Sequence, residues 1–199
     1  MTKRNVSDSK GQGILNLPNV LTFSRVVLAI VLVVLLEERS SRGNIQAVFV
    51  FMTASLTDFY DGYFARTKGI VSNFGKIMDP IADKILLLSA LGALAHIGMF
   101  AWWIFAVIAI REVLVTASRL MRMRQGQVLA AERAGKIKTV SQIIAVSSIL
   151  LYMVFQQPEP SSQGFYNIQR IWLILNGFLM LAAVILTVYS GIDYFRNKK

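Results

Sequence analysis

The sequence has no cysteine, which excludes disulfides, thiolate metal sites and a cysteine nucleophile. It has a single histidine, His96, so clustered imidazole ligation is excluded as well. Charge is scarce: 16% of the 199 residues are charged, where a soluble domain carries about a quarter. There is no internal repeat and no low-complexity tail. No small-residue cleavage site closes the first apolar run, which passes through Leu36 into Glu37 and Glu38. That run is therefore expected to be a first membrane span and not a removed leader.

What fills the chain is apolar, with 55% hydrophobic residues. Several runs approach or exceed about 18 residues, the length at which a membrane-crossing helix becomes the default. Six spans are expected, over residues 17–36, 45–64, 77–97, 102–120, 139–154 and 171–189. The expected fold is an all-α integral membrane protein, a six-transmembrane-helix bundle forming one domain over residues 1–199. Residues 1–16 precede the first span as a cytoplasmic or interfacial segment.

The formal charge of +10 admits two readings, nucleic acid or anionic lipid headgroups. The distribution of the basic residues separates them. Lys3, Arg4 and Lys10 lie before the first span, and Arg66, Lys68 and Lys76 lie around the second connection. Arg119, Arg122, Arg124, Arg133, Lys136 and Lys138 lie around the fourth, and Arg196, Lys198 and Lys199 follow the sixth span. The first connection has only Arg39 and Arg42 beside Glu37 and Glu38, the third has none, and the fifth has none before Arg170. Lys and Arg concentrate on the cytoplasmic side of membrane proteins. Both termini and the second connection are thus expected in the cytoplasm. Basic residues dispersed along one interface favour anionic membrane lipids as partners, and no nucleic acid.

One stretch breaks the apolar pattern: "DFYDGYFARTKGIVSNFGKIMDPIADK", residues 58–84. Asp58 and Asp61 are three residues apart, and Asp79 and Asp83 are one helical turn apart. Folding the two spans about residue 70 sets Asp58 level with Asp83 and Asp61 level with Asp79. A single aspartate at a bilayer centre costs about 2.5–3.5 kcal/mol, and four together also repel one another. Divalent cations relieve both penalties. Carboxylate-only ligation suits hard ions such as Mg²⁺ or Mn²⁺, and four carboxylates can hold two ions that clamp phosphate oxygens. The rival use of such residues is a proton or ion pathway. Gly62 and Ala65, on the face of Asp58, either leave a groove for a flat ligand or allow close helix packing.

The run Asp58-x2-Asp61-Gly62-x2-Ala65-Arg66-x8-Gly75-x3-Asp79-x3-Asp83 resembles, without departure, the signature of the CDP-alcohol phosphotransferases. "NLPNVLTFSR" (16–25), "IREVLVTASR" (110–119) and "GKIKTVSQ" (135–142) are similar to the bacterial phosphatidylglycerophosphate synthases within that family. The resemblance implies six transmembrane helices, a homodimer in a bacterial cell membrane, and an active site facing the cytoplasm. It implies transfer of a phosphatidyl group from CDP-diacylglycerol to sn-glycerol 3-phosphate, with release of CMP. Asp58, Asp61, Asp79 and Asp83 would then hold two divalent cations, with Asp83 also the general base. Gly62, Ala65, Arg66 and Gly75, with Asn19 and Thr22 from the first span, would bind the nucleotide of the donor.

An acceptor bearing a phosphate calls for cations that fork onto it, and Arg111, Arg119, Lys136 and Lys138 are the candidates. The ordinary partner for Arg111 is Glu112, although sequence neighbours do not share a helical face. Arg25 would pair with Asp58 or a phosphate, and Lys84 would snorkel to the interface. Pro80 would kink the third span or mark its first turns. His96, Trp102 and Trp103 read as interfacial residues at the opposite, outer end. Two rival functions stand beside this one. A cation transporter would use the aspartates as its pathway, but it would often show inverted repeats, which are absent. The same chemistry could also serve another acceptor: inositol phosphate, serine, choline or a second lipid.

Overall fold

The computed structural model describes residues 17–68, 73–125, 133–156 and 162–196. The expected interfacial segment, residues 1–16, lies outside them. Among the described residues six helices follow one another: α1 Leu17–Glu37, α2 Ser41–Lys68, α3 Asn73–His96, α4 Trp102–Arg124, α5 Arg133–Phe155 and α6 Gln163–Arg196. There is no strand among the described residues. Each helix covers one of the six apolar segments. Among the described residues two regions, Gly135–Phe155 and Gln163–Arg196, are long and apolar enough to cross a membrane by length and composition.

The helices outrun the apolar segments that announce them. α2 begins at Ser41 and α6 at Gln163, ahead of the expected starts at residues 45 and 171. Hydropathy marks only the apolar part of a helix, whereas backbone hydrogen bonding continues through polar residues at its ends. Asn44 shows how: it lies in the first turns of α2, and its side-chain amide donates to the Met153 carbonyl of α5 at 3.1 Å. Pro80 lies inside α3, past its first turn, so the helix runs through a residue that has no N–H to donate.

Two connections have clear local causes. Gly98 takes φ +86° after α3, the left-handed conformation that glycine adopts without a Cβ clash. There the Gly98 N–H donates to the Ala95 carbonyl and the Met99 N–H to that of Leu94, which closes the helix with a Schellman motif. Gly43 serves a close approach: a Cβ there would lie 2.7 Å from the Leu35 carbonyl oxygen. Its absence lets α2 start directly against the end of α1.

Packing among the described residues closes the helices into a ring in the order α1, α2, α5, α6, α4, α3. α3 and α5 also touch across its interior. Ala29, Leu32 and Leu36 of α1 meet Ala90, Leu91 and Leu94 of α3, all buried, where small residues bring the backbones together. Phe51 of α2 and Val146, Ile149 and Leu150 of α5 extend this core. Polar stitches join α5 to α6. Gln142 Nε2 donates to Thr187 Oγ1 at 2.8 Å, and Ser148 Oγ donates to Asn176 Oδ1 at 2.6 Å. Trp172 Nε1 adds a bond to Ser148 Oγ at 3.2 Å. Such bonds contribute about 0.6 kcal/mol each between membrane helices. The outward faces of α4 and α6 carry Ile110, Leu114, Ile171, Phe178, Ile185 and Ile192, all exposed.

Candidate active site

The two ends of the bundle differ in chemistry. At one end α1 and α3 finish together: His96 Nε2 lies 3.7 Å from Glu37 Oε1, and the His96 ring meets that of Trp102 edge to face. His96, Trp102 and Trp103 are exposed there. α1 and α3 therefore run parallel, and their first turns lie at the other end. That end carries Asn19 and Thr22 on α1, Asp79 and Asp83 on α3 and, across the connection 69–72, Asp58 and Asp61 on α2.

α2 and α3 are continuous helices through all four aspartate positions. The one-turn relation within each pair therefore holds for the backbone. The side chains of Asn19, Thr22, Asp58, Asp61, Gly62, Ala65, Arg66, Gly75, Asp79 and Asp83 lie outside the described residues. Among the described residues no group of three or more His, Cys, Asp or Glu could hold a metal ion. The aspartate set fits a hard divalent cation by its donor chemistry, oxygen only, presented from two helices that enclose a short connection.

Immediately after Asp83 the described side chains begin, and they form a buried ionic cluster. Glu112 of α4 is 1% exposed. Its Oε2 lies 2.7 Å from Lys84 Nζ of α3, and its Oε1 pairs with Lys138 Nζ of α5 and with Arg111 Nη1 at 3.2 Å. Arg111 Nη2 donates to Ser190 Oγ of α6 at 2.8 Å. One carboxylate thus gathers cations from three helices, and a fourth helix supports one of them. Breaking a buried pair by removing one partner costs about 3–5 kcal/mol, so the cluster also ties these helices together.

α6 shapes the seat of Arg111. A Cβ on Gly191 would lie 3.2 Å from Arg111 Cγ, close enough that the side chain would have to shift by a few tenths of an ångström, and 3.5 Å from its Nε, an ordinary contact. Thr187, one turn earlier, donates to the Ala183 carbonyl at 2.6 Å and accepts from Gln142, itself one turn beyond Lys138 on α5.

Of the four expected acceptor-binding residues, Arg111 and Lys138 come together, joined through Glu112. Lys138 is 2% exposed. Arg119 is half-buried, and its Nε is enclosed without a hydrogen-bond partner among the described residues. Lys136 is exposed and points away, because two residues turn a helix by about 200°. Arg111 does pair with its sequence neighbour, since both side chains are long enough to curl toward each other. Lys84 differs from its expected snorkelling: it turns inward onto Glu112. Arg25 is buried, at 9% exposure. Glu112, Ser190 and Gly191 were not among the expected site residues. A lone glutamate inside an apolar helix is the signal that marks the first of them.

The chain is similar to known proteins over most of its length. The profile of the family described as CDP-alcohol phosphatidyltransferase matches residues 15–189. A CDP-diacylglycerol–glycerol-3-phosphate 3-phosphatidyltransferase of Bacillus subtilis (strain 168) is 36% identical over 192 residues, covering 90% of this chain and 93% of that protein. A probable phosphatidylglycerophosphate synthase of Mycobacterium tuberculosis (strain ATCC 25618 / H37Rv) is 36% identical over 184 residues, covering 91% and 80%. A CDP-diacylglycerol–glycerol-3-phosphate 3-phosphatidyltransferase of Rickettsia prowazekii (strain Madrid E) is 32% identical over 185 residues, covering 92% and 96%.

Proposed function

This chain belongs to the CDP-alcohol phosphatidyltransferase family, and on that premise we propose that it transfers a phosphatidyl group from CDP-diacylglycerol to sn-glycerol 3-phosphate, releasing CMP. The observation that carries the acceptor reading is the convergence of Arg111 and Lys138 on Glu112, beside the residue that follows Asp83. A cluster with three cations to one carboxylate favours a substrate that brings negative charge of its own. Serine and choline bring none to spare. The names of the relatives point to glycerol 3-phosphate among the phosphorylated acceptors.

In this reading six helices cross a bacterial cell membrane with both termini in the cytoplasm, and residues 1–199 form one domain that pairs as a homodimer. The dispersed basic residues hold anionic headgroups at the cytoplasmic interface. Asp58, Asp61, Asp79 and Asp83 would hold two divalent cations, Mg²⁺ or Mn²⁺, which when bound neutralise the pyrophosphate of the donor. Gly62, Ala65 and Gly75, having little or no side chain, admit the cytidine against the backbone of α2 and α3, with Asn19 and Thr22 beside it. Arg66 would offset the growing charge of the departing phosphate.

Asp83 accepts the proton of the acceptor hydroxyl. Neighbouring carboxylates favour its protonated form and so strengthen it as a base. The freed oxygen attacks the phosphorus that carries the diacylglycerol, forming one P–O bond as the P–O bond to CMP breaks. Arg111 and Lys138, with Arg119 further along α4, hold the acceptor phosphate so that its hydroxyl meets that phosphorus, and Lys136, which points away, takes no part.

The test is CMP release by purified protein given CDP-diacylglycerol and a panel of acceptors. Release with glycerol 3-phosphate, and not with serine, choline, inositol phosphate or a second lipid, is expected. Release with a different alcohol alone would keep the chemistry and overturn the acceptor. An absence of release with every acceptor, from folded protein, would favour the cation pathway.

A further inference from the structure

Glu112 does more than fill an ionic gap. α4 and α5 are not neighbours in the ring, so the pair between Glu112 and Lys138 reaches across its interior. Through Lys84 the same carboxylate grips α3 at the residue directly after Asp83. Arg111 and Glu112 point about 100° apart on their helix, and they meet only because Arg111 bends back, seated by Ser190 and the bare Gly191. Cations gathered from three helices in a medium of low dielectric repel strongly. Their convergence needs a carboxylate at the centre, and Glu112 occupies that place at 1% exposure.

We propose that Glu112 is a positioning residue for the acceptor: it holds Arg111 and Lys138 converged as a phosphate cradle and, through Lys84, ties that cradle to α3. It touches no reacting atom. This inference rests on the reading of Arg111 and Lys138 as acceptor-phosphate ligands. Without the negative charge, the two cations separate and the phosphate must gather them at each binding event. The consequence falls on acceptor affinity and leaves donor binding alone.

The experiment is steady-state CMP release by purified Glu112→Gln and wild-type protein in detergent, varying glycerol 3-phosphate and CDP-diacylglycerol separately. The variant is expected to raise KM for glycerol 3-phosphate at least ~10-fold, with kcat within ~3-fold and KM for CDP-diacylglycerol within ~2-fold. Glu112→Asp, which keeps the charge on a shorter arm, is expected to recover part of the loss. If Glu112→Gln does not fold, the double variant Lys84→Gln/Glu112→Gln removes charges of both signs together and should show the same split. An acceptor KM unchanged in the variant that folds would overturn the proposal. So would equal rises in both KM values, the pattern of a merely structural role. A wild-type protein that turns over without saturating in glycerol 3-phosphate would instead overturn the acceptor reading itself, and the two failures are therefore distinguishable.

Discussion

Arg111→Lys keeps the charge of the cluster and removes only the fork. The guanidinium makes two directed contacts, 3.2 Å to Glu112 and 2.8 Å to Ser190, from different nitrogens. A lysine ammonium is a single point on a flexible stem and cannot reproduce both together with the planar face offered to a phosphate. Glu112 retains Lys84 and Lys138, so no buried carboxylate is stranded and the helices stay in place. The loss is then about one charge-assisted hydrogen bond, on the order of 1.5–3 kcal/mol. At 1.4 kcal/mol per tenfold, the acceptor term falls by about 10- to 150-fold. The assay is CMP release at saturating CDP-diacylglycerol with glycerol 3-phosphate varied, alongside thermal unfolding in detergent. The expected result is a raised KM for glycerol 3-phosphate, a near-unchanged KM for the donor and an unchanged melting profile. An acceptor KM within about twofold of wild type would refute the placement of Arg111 at the phosphate.

Other perturbations probe the remaining parts of the site. Asp83→Asn removes the proposed base while keeping its size; turnover is expected to vanish while the protein still inserts and folds, and retained activity in the same CMP assay would remove Asp83 from that role. Gly191→Ala places a Cβ 3.2 Å from Arg111 Cγ, and the guanidinium must yield by a few tenths of an ångström. A displacement costing about 0.5–1.5 kcal/mol in side-chain geometry corresponds to an acceptor KM raised by about 2- to 12-fold, measurable by the same titration.

How much of this was legible beforehand depended on what each residue contrasts with. The six helical segments were legible because apolar runs stand out against charged connections. Their ends were not, since Ser41 to Asn44 and Gln163 to Arg170 continue the helix with residues that hydropathy reads as loop. The shared position of His96, Trp102 and Trp103 at one end of the bundle was legible, because they close one span and open the next. Lys84 was read outward and turns inward. In a helix apolar on every side, spacing does not reveal which face meets lipid and which meets another helix. For the same reason Lys136 and Lys138 were indistinguishable by sequence, although one is exposed and the other is 2% exposed. Glu112 was legible only as a neighbour of Arg111. Its contacts to Lys84 and Lys138 depend on how α3, α4 and α5 assemble, which no local pattern encodes.

Group transfer at the aspartate-bearing end of the bundle is measured most directly by following the acceptor. Purified protein is given CDP-diacylglycerol and radiolabelled glycerol 3-phosphate, first with a chelator and then with Mg²⁺ or Mn²⁺ restored. Label is expected to enter the lipid-extractable fraction only with the metal present, one mole for each mole of CMP released. Label that stays water-soluble while the protein is folded and metal-replete would contradict that transfer.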